Sequence, residues 1–229
     1  MTGAQFRTGR LHAGLTQAEA ASRLGLSQPY LSQLERDERP FTEPLARVAC
    51  RLFRLPVTAL PVPQASFPAA DADPDRLARQ LAGLGYPGFG HLRPIETNPA
   101  AVVLETLVQK DLEVRLMEAL PWVLLKYPEL DWDWLITQAK LHDVQNRLGF
   151  LTGLAREIAG TRVQFRSALA ALSAAEQQLE PSRLVREDTL CRNSMPVAER
   201  RWLGANRSGL ARHWNLLTGM TAEQLSYAA

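Results

Sequence analysis

The chain has 229 residues, 46% of them hydrophobic, and its 26 basic and 24 acidic side chains leave a net charge of +2. That length allows one large domain or two modest ones. No apolar run approaches the ~18 residues of a membrane span and no charged-then-apolar leader opens the chain, so a membrane protein is excluded and a soluble, cytoplasmic one is expected. The charge is unevenly placed. Residues 1–61 carry eight Arg against five acids, and the remainder carries 18 basic against 19 acidic residues. A mildly basic N-terminal region suits a phosphate backbone.

Residues 4–13 predict a first helix, with Phe6, Arg10 and Leu11 at helical spacing. Thr16 followed by Glu19 is a capping-box signature, which opens a second helix over about 17–24. Gly25 stands where a helix end needs a left-handed residue. Ser27 is the next N-cap, and Pro29 falls in the first turn, where its missing N–H costs nothing. A third helix follows to about Arg36. Pro44 opens a fourth, with Leu45, Val48, Ala49 and Leu52 as its inward stripe, and Pro56 stops it. Val57 to Leu60 then makes a short closing helix.

Two short helices joined by a tight turn have the logic of a helix-turn-helix, whose second helix enters the major groove. The strings Gly14-Leu15-Thr16-Gln17, Leu24-Gly25-Leu26-Ser27 and Tyr30-Leu31-Ser32-Gln33-Leu34-Glu35, with Ala21, resemble the phage-repressor (Cro/cI, XRE) type of DNA-binding domain over residues 4–61. Two positions depart from it. Ala20 replaces a larger aliphatic residue. Asp37 stands where the family has glycine, and Asp tolerates the left-handed conformation. The resemblance implies that Arg10 and Glu35 form a buried structural ion pair. It also implies DNA contacts from Gln17, Gln28, Tyr30, Ser32, Gln33, Arg36 and Arg39. Gln pairs bidentately with adenine and Arg with guanine. Gln17 at a helix N-terminus and Arg39 in the following loop suit phosphates.

Residues 62–75 carry prolines, Ala and Asp with no apolar period and read as a linker, in which Phe67 is free to dock on either domain. Residues 76–229 read as an all-α second domain. Helices are expected at 74–84, 99–120, 131–159, 161–180, 182–192, 196–206 and 209–218. Trp134, Thr137, Leu141, Val144, Leu148, Leu151, Ala155 and Ile158 form a heptad-type stripe, expected to be a self-association surface or bundle core. Asp143 and Arg147 stand at i, i+4 spacing for a surface pair. The charged run from Arg183 to Arg192 reads as a helix face.

His12, His91, His142 and His213 have no partner at ligand spacing, and there is no phosphate-binding glycine loop or nucleophile elbow. No metal, no cofactor and no enzymatic activity are expected. Cys50 and Cys191 read as reduced, buried thiols. All five tryptophans lie in the second domain, and Trp132, Arg147, Arg201, Trp202 and Trp214 supply the aromatic and Arg anchors of a partner-binding patch. The stretches 128–153 and 183–217 distantly resemble helical halves of antitoxin-like regulators. The expected function is therefore a sequence-specific transcriptional repressor, binding double-stranded operator DNA as a homodimer. An antitoxin role with a cognate toxin partner is one form of it. The alternative is a regulator whose helical domain senses a small molecule or peptide.

Overall fold

The computed structural model describes residues 1–63, 72–190, 192, 194–225 and 227. Most of the linker, Phe67 included, and Cys191 lie outside the described residues. The chain divides into two compact units, Met1–Ala65 with Glu96–Asn98 and Ser66–Ile95 with Pro99–Ala229. Among the described residues the fold is all-α apart from a two-stranded pairing and an isolated antiparallel bridge, Asp111 with Arg192, in the second unit.

Unit 1 holds α1 (Gly3–His12), α2 (Gln17–Leu24), α3 (Gln28–Glu35), α4 (Glu43–Phe53) and a closing 3-10 turn, Val57–Ala59. Phe6 lies at its centre with no exposed surface, packed on Phe53 edge-on at 5.2 Å and on Phe41 at 5.1 Å. The inward face of α4 differs from the expected stripe. Ala46, Ala49 and Phe53 are buried, whereas Val48 is 47% exposed. The bulk of Phe53 against Phe6 turns the helix, and two alanines give the close approach that a row of larger aliphatics would prevent. Arg54, not Pro56, ends α4, in the left-handed conformation at φ 52°. Asp37 also adopts that conformation, at φ 57°, and its carboxylate accepts the Gly3 N–H at 2.5 Å. The departure from glycine thus ties the loop after α3 to the start of α1.

Glu96–Asn98 completes unit 1. Asn98 Nδ2 donates to the carbonyls of Leu60 (2.6 Å) and Thr58 (3.3 Å), and Arg51 Nε pairs with Glu96 at 3.1 Å. Arg47 donates to the Glu96 carbonyl and to the Glu43 carboxylate. A boundary at residue 61 therefore omits part of the unit.

Unit 2 holds α5 (Pro74–Gly83), α6 (Pro99–Leu107), α7 (Val114–Lys126), α8 (Trp132–Leu141), α9 (Gln145–Thr161), α10 (Leu169–Leu179), α11 (Val197–Asn206) and α12 (Gly209–His213). The expected helix 99–120 is two helices, and Pro121 lies inside the second. The expected helix 131–159 breaks at Asp143, which takes the left-handed conformation at φ 58° while Val144 N–H reaches back to the Ala139 carbonyl at 2.9 Å. The heptad stripe is consequently not one seam. Leu148, Leu151, Ala155 and Ile158 on α9 are at most 1% exposed inside the unit, and Leu141 on α8 is 67% exposed. A helix buried all round is a core helix, not a dimer stripe. No α-helix forms over the described residues of 182–192, and a 3-10 turn, Glu180–Ser182, ends where the helix was expected to begin. Asp188–Thr189 (β1) instead pairs in parallel with Leu216–Leu217 (β2), Asp188 opposite Leu216.

Arg147 makes no surface pair with Asp143. Its guanidinium grips Asp188 bidentately at 2.8 and 3.1 Å and donates to the carbonyls of Leu107 and Gln109, both at 2.8 Å. One further close approach sets the position of α9. A Cβ on Gly149 would lie 2.5 Å from the indole of Trp214, which is fully buried. Gly149→Ala should therefore cost about 1–3 kcal/mol by overpacking, read as a lowered denaturant midpoint. Gly153→Ala, whose tight contacts are with the flexible end of Leu210 at 2.7 Å and whose approach to Glu176 Oε1 is an ordinary 3.4 Å, should cost less. Equal midpoints for the two variants would refute the rigid Trp214 contact.

Candidate nucleic-acid interface

The ends of α2 and α3 are fixed by local chemistry. Thr16 N–H donates to Glu19 Oε2 at 2.8 Å, and Glu19 N–H returns to Thr16 Oγ1 at 3.3 Å, which closes the capping box. Gly25 ends α2 at φ 68°. Ser27 caps α3 through the Tyr30 N–H at 3.4 Å, with Pro29 in the first turn. Leu31 and Leu34 are fully buried. This turns the polar side of α3 outward, with Gln28 and Arg36 exposed and Tyr30, Ser32 and Gln33 partly so.

Beneath that surface runs a relay of side chains. Arg10 Nε donates to Glu35 Oε1 at 2.5 Å and Nη2 to Oε2 at 3.1 Å, with the two side chains only 7% and 4% exposed. Arg10 Nη1 also donates to the Leu15 carbonyl at 2.7 Å. Gln17 Nε2 donates to Glu35 Oε2 at 2.8 Å, and Gln28 Nε2 donates to Gln17 Oε1 at 3.0 Å. The buried ion pair thus orients Gln17, and Gln17 orients Gln28. Gln28 keeps its amide oxygen and one N–H for an outside partner, the donor and acceptor that an adenine edge requires. Burial works against a charged Glu35, but hydrogen bonds from Arg10 and Gln17 and the charges of Arg10 and Arg7 outweigh it and hold its pKa below the ordinary carboxylate value. The relay escapes sequence reasoning because its members lie 11, 18 and 25 residues apart. No local spacing rule connects them.

The remaining cations divide into engaged and open ones. Arg36 Nε donates to the Ser32 carbonyl at 3.3 Å and its Nη2 lies 3.2 Å from Glu38. Arg47 and Arg51 are committed to Glu43 and Glu96. Among the described residues, Arg7, Arg23, Arg39 and Arg54 are exposed in unit 1 without an ion pair.

Residues 3–61 match the family described as a helix-turn-helix domain. This part of the chain is a helix-turn-helix DNA-binding domain. A propionyl-CoA carboxylase regulator of Cereibacter sphaeroides is similar to it, at 40% identity over 63 residues, which is 28% of this chain and 14% of that relative. No solved structure gives a significant match. The resemblance of α2 and α3 to phage-type repressors is thereby upheld for the helix-turn-helix domain.

The five residues expected to form a partner patch in unit 2 separate. Arg147 is 4% exposed and Trp214 is fully buried. Both are internal, so neither serves as a surface anchor. The sequence could not show this, because a buried Arg with a distant Asp partner looks like any Arg on a polar helix face. Trp132 is half-buried, with its indole N–H donated to the Pro128 carbonyl at 2.9 Å. Arg201 and Trp202 remain on the surface of α11, with Trp202 63% exposed and Val197 73% exposed on the same helix. Cys50 is half-buried, and burial raises its thiol pKa. No helix among the described residues is long and apolar enough to cross a membrane.

Proposed function

We propose that this protein is a sequence-specific transcriptional repressor that binds a two-fold operator as a homodimer. The observation that carries the reading is the pre-set recognition helix. Gln28 is held by Gln17 on the buried Glu35, with one donor and one acceptor left facing outward. Gln28 and Gln33 read bases in the major groove, Arg36 reaches a base or phosphate at the end of α3, and Arg39 neutralises a phosphate. Tyr30 and Ser32 flank them. Such a protein works where the DNA is, in the cytoplasm. The Cereibacter relative is named a regulator, which agrees with this role. The similarity is confined to the DNA-binding segment and carries nothing about the genes controlled.

Selected-site binding tests the proposal. The intact protein should return one preferred, two-fold sequence, with half-sites ~34 Å apart if both heads dock on one face. Gln28→Ala and Gln33→Ala should each lose ~1–3 kcal/mol of discrimination at one base position. Arg39→Ala should weaken all sequences alike and flatten the salt slope. Recovery of no preferred sequence would overturn base reading, and a monomer on DNA in sedimentation would overturn the dimer.

A second reading, the antitoxin of a toxin–antitoxin pair, is favoured by the exposed Trp202 and Val197 beside Arg201 on α11. Aromatic and Arg residues together are the usual anchors of a protein interface. The product of a neighbouring small reading frame should then form a complex that Trp202→Ala abolishes. Failure of the wild-type protein to bind that product removes this reading and leaves the repressor.

A further inference from the structure

Unit 2 contains a cavity of about 350 Å³ at the meeting of five chain segments: the first turns of α7, the residues after β1, α11, the residues after β2, and the turn at 222–224. The volume falls at the small end of ligand sites. Its base is apolar. Leu190, Leu203, Leu217 and Met220 are each at most 8% exposed. Met195 and Met220 add flexible thioether side chains that adapt to irregular shapes, and Val114 stands half-exposed at the mouth.

Several polar groups of the described lining residues are engaged. Thr218 Oγ1 accepts from Met220 N–H, and Gln224 Oε1 accepts from Thr221 N–H, both at 3.2 Å. Arg192 and Glu199 face each other at 3.9 Å. Glu118 is a partly buried residue whose carboxylate has no ion pair or hydrogen-bond donor among the described residues. Among the described lining residues there are thus two carboxylates and one guanidinium, and the guanidinium faces Glu199, not Glu118.

We propose that this cavity binds a small lipophilic cation, an amine with a compact apolar body. The ammonium sits on Glu118, and the body covers Leu190, Leu203, Leu217 and Met220. A neutral or anionic molecule of the same shape gains the apolar contacts but desolvates Glu118 without compensating it, so the amine is preferred. This assignment does not depend on the repressor reading, because binding is measured on the full chain without DNA.

Calorimetric titration with isoamylamine, phenethylamine, isoamyl alcohol and isovalerate tests the assignment. The two amines should bind at a one-to-one ratio and raise the melting temperature, and the alcohol and the acid should bind at least about tenfold more weakly. Glu118→Gln should keep the fold, because the side chain holds no other group, and should erase the preference for amine over alcohol. Val114→Trp, at the half-exposed mouth, should block both amines while Glu118 stays in place. Three results would each overturn the site: equal binding of amine and alcohol, amine binding unchanged in Glu118→Gln, or no binding of either amine at millimolar concentration.

Discussion

Replacing Arg147 by Met should lower the stability of unit 2 by about 3–5 kcal/mol, the usual cost of removing one partner of a buried pair. The substitution strands the Asp188 carboxylate and takes one donor away from the carbonyls of Leu107 and Gln109. These groups lie on segments far apart in the chain, so the loss is felt at the end of α6 and at β1 together. Arg147→Lys keeps the charge but not the bidentate fork, and should recover only part of the loss. The readout is clean because all five tryptophans belong to unit 2. Urea unfolding followed by Trp fluorescence reports that unit alone. A midpoint unchanged in Arg147→Met would mean that the network contributes nothing net to stability.

Arg10→Met should unfold the DNA-binding head. It leaves Glu35 charged and 4% exposed with the Leu15 carbonyl unsatisfied, again at a cost of about 3–5 kcal/mol. At roughly 0.05–0.15 kcal/mol per residue, a unit of this size holds on the order of 3–10 kcal/mol in all. Operator binding should therefore fall steeply. The double variant Arg10→Met with Glu35→Leu removes both charges and should restore much of the stability. It also removes the acceptor that holds Gln17, so Gln28 loses its support and base discrimination at its position should stay impaired. A double variant with full discrimination would show that the relay does not orient Gln28.

The same pair gives a pH dependence with a definite sign. The folded-state pKa of Glu35 is depressed, so its stabilisation is complete above the ordinary carboxylate pKa. It is lost as pH falls from there through the lower folded value. Acid titration of the head should show this loss in wild type and not in the double variant.

The helix-turn-helix was legible because its punctuation is local. Thr16 with Glu19, Gly25, and Ser27 with Pro29 each act within one turn of the backbone they terminate. The same holds for α5, which opens on Pro74 behind the capping Asp73. What was not legible depends on distant partners. Asp143 breaks the long helix in a left-handed conformation with none of the punctuation that glycine or proline provides. The strands β1 and β2 are two residues each, too short to show alternation. The inward face of α4 follows Phe53 meeting Phe6, a choice that the spacing of Leu45 and Val48 could not reveal. At the site, the outward residues of α3 were readable and the relay behind them was not.

The return of Glu96–Asn98 to unit 1 has a consequence for transplanting the head. In chain order, α5 is an insertion within the DNA-binding unit, not its successor. A fusion cut at residue 61 carries every side chain proposed to read bases, yet it leaves the carbonyls of Thr58 and Leu60 without Asn98, and Arg51 without Glu96. A graft that also supplies the second, three-residue piece should keep the head more stable than one cut at residue 61. Transfer of this head is thus a two-junction operation.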